Sequence, residues 1–96
     1  MIDGEIYVRE SSIKAIFAYR EATPRTNSLT HYAAVLNGST VYVCGVDGSC
    51  GFICRGTVRA ATLEEIDLFE TKLNENGYHY NKDNKKVIRI STGELL

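Results

Sequence analysis

The chain has 96 residues, of which 44% are hydrophobic and 24% are charged, and its formal net charge is -1. The length matches one domain, the composition excludes an intrinsically disordered chain, and the balanced charge excludes a global field that attracts nucleic acid or anionic lipid. The longest apolar runs fall far short of the ~20 residues of a membrane span, and no signal peptide is evident. We predict a single domain over 1-96, cytoplasmic, with no membrane partner and no sequence-specific nucleic-acid partner.

The first two predicted strands lie near the start of the chain. Glu5 to Val8 alternates apolar and polar residues and is rich in strand formers. Residues 13 to 19 alternate in the same way, as expected for a strand with one wetter face. Residues 11-22 also contain apolar side chains at helical spacing, so a helix is the alternative there. Their β-branched and aromatic content favours the strand.

A β-hairpin is predicted around Asn37-Gly38. The dipeptide separates two strand-like runs, Thr30 to Leu36 and Thr40 to Cys44. Asn-Gly suits a type I′ turn, because both central residues need a positive φ. A second turn at Asp47-Gly48 then returns the chain through Phe52 to Cys54. The middle of the chain is therefore predicted to be an antiparallel meander.

A helix is predicted from about Thr62 to Asn76. Thr62 and Glu65 have the spacing of a capping box, and Gly77 can adopt the left-handed conformation that ends a helix. Four residues form the apolar stripe expected to be buried: Leu63, Ile66, Phe69 and Leu73.

The chain is predicted to end in a short hairpin. Its strands are Tyr78 to Tyr80, with both tyrosines on one face and His79 on the other, and Val87 to Ile90. The predicted fold class is therefore α+β, with an antiparallel meander sheet of about five strands, one capped helix (about 62-76) and a short C-terminal β-hairpin.

The last third of the chain carries a recognisable pattern of spaced residues. It comprises the run Arg59 to Glu65, then Leu68-Phe69, Leu73, Asn76-Gly77-Tyr78, Asn81 and Lys85-Lys86. This pattern resembles a module, R-ATxEE-LF-GY-N-K, of uncharacterised small proteins from phages and mobile elements of gut bacteria. Where those proteins usually carry Trp, this chain has Tyr80. The resemblance implies a phage or mobile-element provenance and no particular chemistry.

Glycines and arginines in the middle of the chain suggest an anion site. Gly48 and Gly51 belong to a glycine-rich stretch whose backbone N–H groups can approach a phosphate, and Arg55 and Arg59 can contact phosphate in a bidentate manner. The stretch is not a Walker loop, because it lacks the Gly-Lys-Ser/Thr sequence. The alternative is a pair of turns followed by solvated arginines.

Tyrosine is the commonest aromatic residue, with six copies against three phenylalanines. Tyrosine provides rigid contact area at interfaces and can stack on a base. Tyr32, Tyr42 and Tyr80 are the candidates for base stacking. The alternatives are a tyrosine-rich sheet face that binds a protein, or tyrosines that line the edge of the core.

The cysteines offer weaker possibilities. Gly-Ser-Cys-Gly around Cys50 is similar to the nucleophile turn of chymotrypsin-like viral cysteine proteases, and His31 lies upstream as a possible base. That fold needs two β-barrels, for which this chain is too short. Cys44, Cys50 and Cys54 lack the Cys-x-x-Cys spacing of zinc knuckles, so neither a metal nor another cofactor is predicted.

These observations give a ranked set of functions. The favoured hypothesis is a non-enzymatic counter-defence protein of phage or mobile-element origin that sequesters a phosphate-bearing nucleotide signal, as a homo-oligomer. The alternative is an inhibitor or adaptor that binds a host protein through a tyrosine-rich sheet face. A remote alternative is a cysteine-nucleophile enzyme at Cys50.

Overall fold

A computed structural model describes residues 1–21, 28–43, 51–53 and 57–95. Within these ranges the chain forms one helix and eight strands. The elements in chain order are β1 (Ile6–Glu10), β2 (Ala15–Tyr19), β3 (Ser28–Leu36), β4 (Thr40–Val43), β5 (Gly51–Ile53), β6 (Thr57–Ala60), α1 (Leu63–Glu75), β7 (Tyr78–Asn81) and β8 (Lys86–Arg89).

The main sheet is antiparallel and has the strand order β4-β3-β2-β1-β6. The short β5 pairs with the first residues of β3, and β7 and β8 form a separate hairpin. This arrangement confirms the predicted α+β class with its sheet, single helix and C-terminal hairpin. The sequence did not predict β6, which returns to the outer edge of β1.

Residues Ala15–Tyr19 form the central strand of the sheet, so the strand interpretation is confirmed. The expectation of one wetter face is wrong, because Ala15, Ile16, Phe17 and Ala18 are all buried. The reason is position: β1 and β3 flank this strand, and side chains cover both of its faces. The turn at Asn37-Gly38 is also as predicted, with φ values of 51° and 71°.

The helix begins after Thr62, which forms the predicted capping box with Glu65, and the chain leaves it through Asn76 and Gly77. The predicted burial of Leu63 is wrong, since this side chain is 80% exposed. Glu65 instead takes the inward position of the first turn, where it binds Arg59 of β6. Residues two positions apart on a helix point about 200° away from each other, so Leu63 projects to the side opposite Glu65.

The helix and the hairpin pack on the same face of the sheet. Phe69 and Leu73 of α1, with Tyr80 of β7 and Val87 of β8, are buried there against β1, β2 and β3. The rings of Phe69 and Tyr80 meet edge to face, with centroids 5.8 Å apart. Such contacts add to the stabilisation from area burial. Within the described ranges, no helix is long and apolar enough to cross a membrane.

Candidate functional site

Some of the predicted site residues lie outside the described residues. These are Gly48 and Arg55, together with the three cysteines, so the structure does not bear on the Cys50 hypothesis. Gly51 is the first residue of β5, and its backbone pairs with Thr30 of β3. The remaining predicted residues, Arg59, Tyr32, Tyr42 and Tyr80, have defined surroundings.

Arg59 is held by two carboxylates. Its Nη1 and Nη2 donate to the two oxygens of Glu65 at 2.7 and 2.8 Å, and Nη2 also donates to Glu10 Oε1 at 2.7 Å. Glu65 first, and then Glu10, raises the pKa of the Arg59 guanidinium. A guanidinium whose fork is occupied in this way has little capacity left for a phosphate.

Glu65 is the centre of this network. Besides Arg59, its carboxylate contacts Lys14 Nζ at 2.7 Å and accepts a hydrogen bond from the Thr62 backbone N–H at 2.9 Å. The Arg59 contact is the largest cause of a pKa for Glu65 well below its usual range, with Lys14 and Thr62 adding to it. The arginine and the second glutamate of the R-ATxEE pattern thus join β6 to the start of α1.

Tyr80 is part of the core. It is 5% exposed, and its hydroxyl donates to the Gly4 carbonyl oxygen at 2.5 Å. Burial raises the pKa of Tyr80 to about 12, so the phenol stays neutral at physiological pH. A ring in this position is not available for stacking on a base.

Tyr32 is half-buried on the helix side of the sheet. Its hydroxyl donates to the Asp3 carboxylate at 3.0 Å, and burial is the main cause of its raised pKa. The cationic groups of Arg20 and Lys86 lie 5.6 and 5.7 Å from the ring centroid. Because these cation–π contacts already cover part of the Tyr32 ring, less of it is available for stacking on a base.

The predicted ligand residues do not converge on one place in the described structure. Arg59 lies opposite Val8 on the helix side of β6, which is one edge of the sheet. Tyr42 lies opposite Ala34 on the other face of β4, which is the opposite edge. Four strand spacings of about 4.8 Å separate the two strands by about 19 Å. No single small ligand could contact both residues.

The face opposite the helix carries aromatic residues that we call the aromatic face: Tyr7, Phe17, Tyr19 and Tyr42. Phe17 is fully buried there, and its ring lies 6.2 Å from that of Tyr7. Tyr7 also meets Tyr19 edge to face at 6.2 Å. Tyr42, on β4, is 56% exposed. The exposed part of this face therefore lies at the β4 edge.

A cleft opens on the other side of the molecule, between the first half of α1, the start of β1 and the β7–β8 hairpin. We call it the Leu63 cleft, and its volume is about 210 Å³. Its apolar lining is Ile6, Leu63, Ile66 and Tyr80. No local sequence pattern predicts this cleft, because the residues that form it are far apart in the chain.

His31 is a buried histidine, 4% exposed, on β3. Burial lowers its pKa from 6.5 to about 4. Below pH 6.5 the unfolded chain binds a proton at His31 that the folded chain does not bind, so acidification favours unfolding. We expect the free energy of unfolding to fall by about 2 kcal/mol between pH 6.5 and 4.5 through this group alone.

Urea denaturation at several pH values, with ring-proton NMR of the two histidines, measures this effect. The variant His79→Gln, which removes the exposed histidine of β7, is the control and should keep both the fall and the His31 signal. A His31 ring that titrates near pH 6.5 in the folded protein would contradict the prediction.

Among the described residues, no three histidine, cysteine, aspartate or glutamate side chains are grouped closely enough to hold a metal ion. Comparisons with protein-family models, with curated proteins and with solved structures found no match.

Proposed function

We propose that the chain is a non-enzymatic protein-binding domain, and that it binds an extended segment of another protein along the β4 edge of its sheet. The observation that carries the proposal is the chemistry of this edge. Thr40–Val43 contains β-branched and aromatic residues and no charge, and within the described ranges it pairs with β3 alone. An uncharged edge strand is a template for the addition of another strand.

The opposite edge of the sheet provides the contrast. On β6, Arg59 forms ion pairs with Glu10 and Glu65. Charges along an edge oppose the addition of a further strand, because pairing would desolvate them. The β4 edge is therefore uncharged and the β6 edge is charged, so only the β4 edge favours the addition of a strand.

Tyr42 adds side-chain recognition to backbone pairing. It is 56% exposed, on the same face as Ala34 and the aromatic face. In strand addition, main-chain hydrogen bonds supply affinity, and alternate side chains supply specificity. A partner segment that is uncharged and rich in β-branched or aromatic residues matches the neutral side chains of β4 and the ring of Tyr42.

Site-specific photocrosslinking in the protein's native cells tests this function. A benzophenone amino acid replaces Tyr42, and in a control variant it replaces Asn74, which is exposed on α1. We expect an adduct only from position 42, mapped by mass spectrometry to an extended segment of the partner. Amide hydrogen exchange of β4 should slow in the complex.

Charge substitutions make the test specific. Thr40→Lys places a charge on the edge without disturbing the core, and it should abolish the adduct, whereas Thr71→Lys on the exposed side of α1 should not. An adduct that survives Thr40→Lys, or one that maps to a helix of the partner, would overturn the proposal. An adduct between two copies of this chain would replace the proposed partner with self-pairing.

Nucleotide sequestration by a phage counter-defence protein remains a prediction. The occupied guanidinium of Arg59 and the burial of Tyr80 weigh against it in the described part of the chain. Homo-oligomer formation likewise remains a prediction, and the β4 edge is also the surface that would serve it.

A further inference from the structure

We propose that the Leu63 cleft binds one large apolar side chain, which a partner protein presents next to a basic residue. The cleft lies on the helix side of the sheet and does not include β4, so this second site is independent of the strand-binding edge. Three features of the cleft support this assignment: its size, the exposure of Leu63 on one wall and the charges around its rim.

The size of the cleft limits its occupant. Its volume of about 210 Å³ is smaller than the roughly 300–1,000 Å³ of pockets that hold drug-sized ligands. It matches a single leucine or aromatic side chain. The floor consists of the nearly buried Ile6 and Tyr80, so an inserted side chain would contact apolar atoms. Pockets of this kind accept the anchor residues that contribute most to protein–protein affinity.

The exposure of Leu63 indicates that the cleft is incomplete in the free protein. Leu63 is 80% exposed, more than any other large hydrophobic side chain among the described residues. It lies in the first turn of α1, on one wall of the cleft, with the partly buried Ile66 one turn along the helix. An anchor in the cleft would cover the Leu63 side chain and remove its apolar surface from water.

The charges around the rim select the neighbour of the anchor. Lys85 is paired with Glu5 at 2.7 Å, and Lys82 lies 3.4 Å from Glu70. Asp67 also lines the cleft, and among the described residues it has no ion-pair partner. Among the described rim residues, Asp67 is therefore the charge that no ion pair compensates. A basic residue beside the anchor would satisfy it, and an acidic residue would be repelled.

Capped dipeptides and NMR on the full chain test this site. The probes are N-acetyl-Phe-Arg-amide, N-acetyl-Phe-Glu-amide and N-acetyl-Gly-Arg-amide, titrated into ¹⁵N-labelled protein. We expect amide shifts at Ile6, Leu63 and Ile66 with the first probe. Because an exposed ion pair adds only modest affinity, that probe should bind about 1.4- to fivefold more tightly than the second. The third probe, which lacks the anchor, should produce no shifts there.

Two substitutions separate the charge from the apolar contact. Asp67→Asn should abolish the preference for Arg over Glu, whereas Glu64→Gln, at an exposed acid outside the cleft lining, should preserve it. Leu63→Ala should weaken every Phe-containing probe without affecting the fold, because this side chain is exposed in the free protein.

The proposal is overturned if N-acetyl-Phe-Arg-amide produces no shifts around the cleft, or if the Arg preference survives Asp67→Asn. Shifts confined to the Thr40–Val43 strand would also overturn it while leaving the proposed strand binding intact. Conversely, loss of the crosslink at position 42 does not affect this titration, so the two proposals fail separately.

Discussion

Replacing Gly4 with alanine is expected to lower the free energy of unfolding by about 2–5 kcal/mol. A Cβ atom at this position would lie 2.5 Å from both the Cβ and the carbonyl oxygen of Lys85 in the hairpin turn. Gly4 also has φ of +81°, which costs a residue with a side chain about 1–2 kcal/mol. Overpacking adds about 1–3 kcal/mol.

The effect should be large because Gly4 joins three parts of the fold. Its N–H donates to the Tyr19 carbonyl oxygen at 2.7 Å, and its own carbonyl oxygen accepts from the Tyr80 hydroxyl. Displacing the backbone here would loosen the hairpin from the sheet. Urea denaturation followed by circular dichroism gives the change in free energy.

Gly77 provides a matched control for this substitution. Its φ is +86°, but a Cβ atom there would meet nothing within 4 Å. Gly77→Ala should therefore cost only the backbone strain, about 1–2 kcal/mol. Equal losses for Gly4→Ala and Gly77→Ala would show that the close approach of Lys85 contributes nothing.

Replacing Glu65 with alanine is expected to cost about 2–3 kcal/mol. The substitution removes half of the capping box, worth about 1 kcal/mol, and the charge-assisted hydrogen bonds from Arg59, worth about 1–2 kcal/mol after allowance for partial exposure. The neighbouring Glu64 is exposed and lies in the same helical turn, so it is the control. Glu64→Ala should cost no more than about 0.5 kcal/mol, through the helix dipole. Thermal denaturation measures both, and similar losses would contradict the role of the network.

The same network predicts a response to acid. Because the pKa of Glu65 is held below its ordinary value of 4.5, its stabilising contribution is complete above that pH and is lost as the pH falls towards the lower pKa of the folded state. The unfolding temperature of the wild-type protein should therefore decrease below pH 4.5 more steeply than that of Glu65→Ala. Parallel decreases would show that Glu65 is not linked to acid unfolding.

The local features of the fold could be predicted from the sequence because they depend on neighbouring residues. The capping box needs only Thr62 and Glu65, three positions apart, and the hairpin turn needs only Asn37 and Gly38. These elements were predicted correctly. The burial of Leu63 was predicted wrongly, since the hydrophobic pattern does not show that Glu65 has a partner on β6.

The spatial relations of the candidate site could not be predicted in this way. Tyr32 and Tyr42 lie on opposite sides of the sheet because the register between β2 and β3 shifts at Ala18 and Tyr19. A shift of one residue moves a side chain to the other face, and no local pattern marks its position. The pairing of Arg59 with Glu10 depends likewise on β6 returning to β1, a contact between distant parts of the chain.

The bond between Tyr80 and Gly4 joins residues that are 76 positions apart. During synthesis at about 5–20 residues per second, the first strand leaves the ribosome several seconds before this partner. Contacts between such distant residues also slow folding, because closing a long loop costs entropy before any contact compensates for it. In that interval the newly made β1 and β2 expose Ile6, Val8 and Ile16, which pack with the helix and the hairpin in the folded protein, so the nascent chain is a candidate client for a ribosome-associated chaperone.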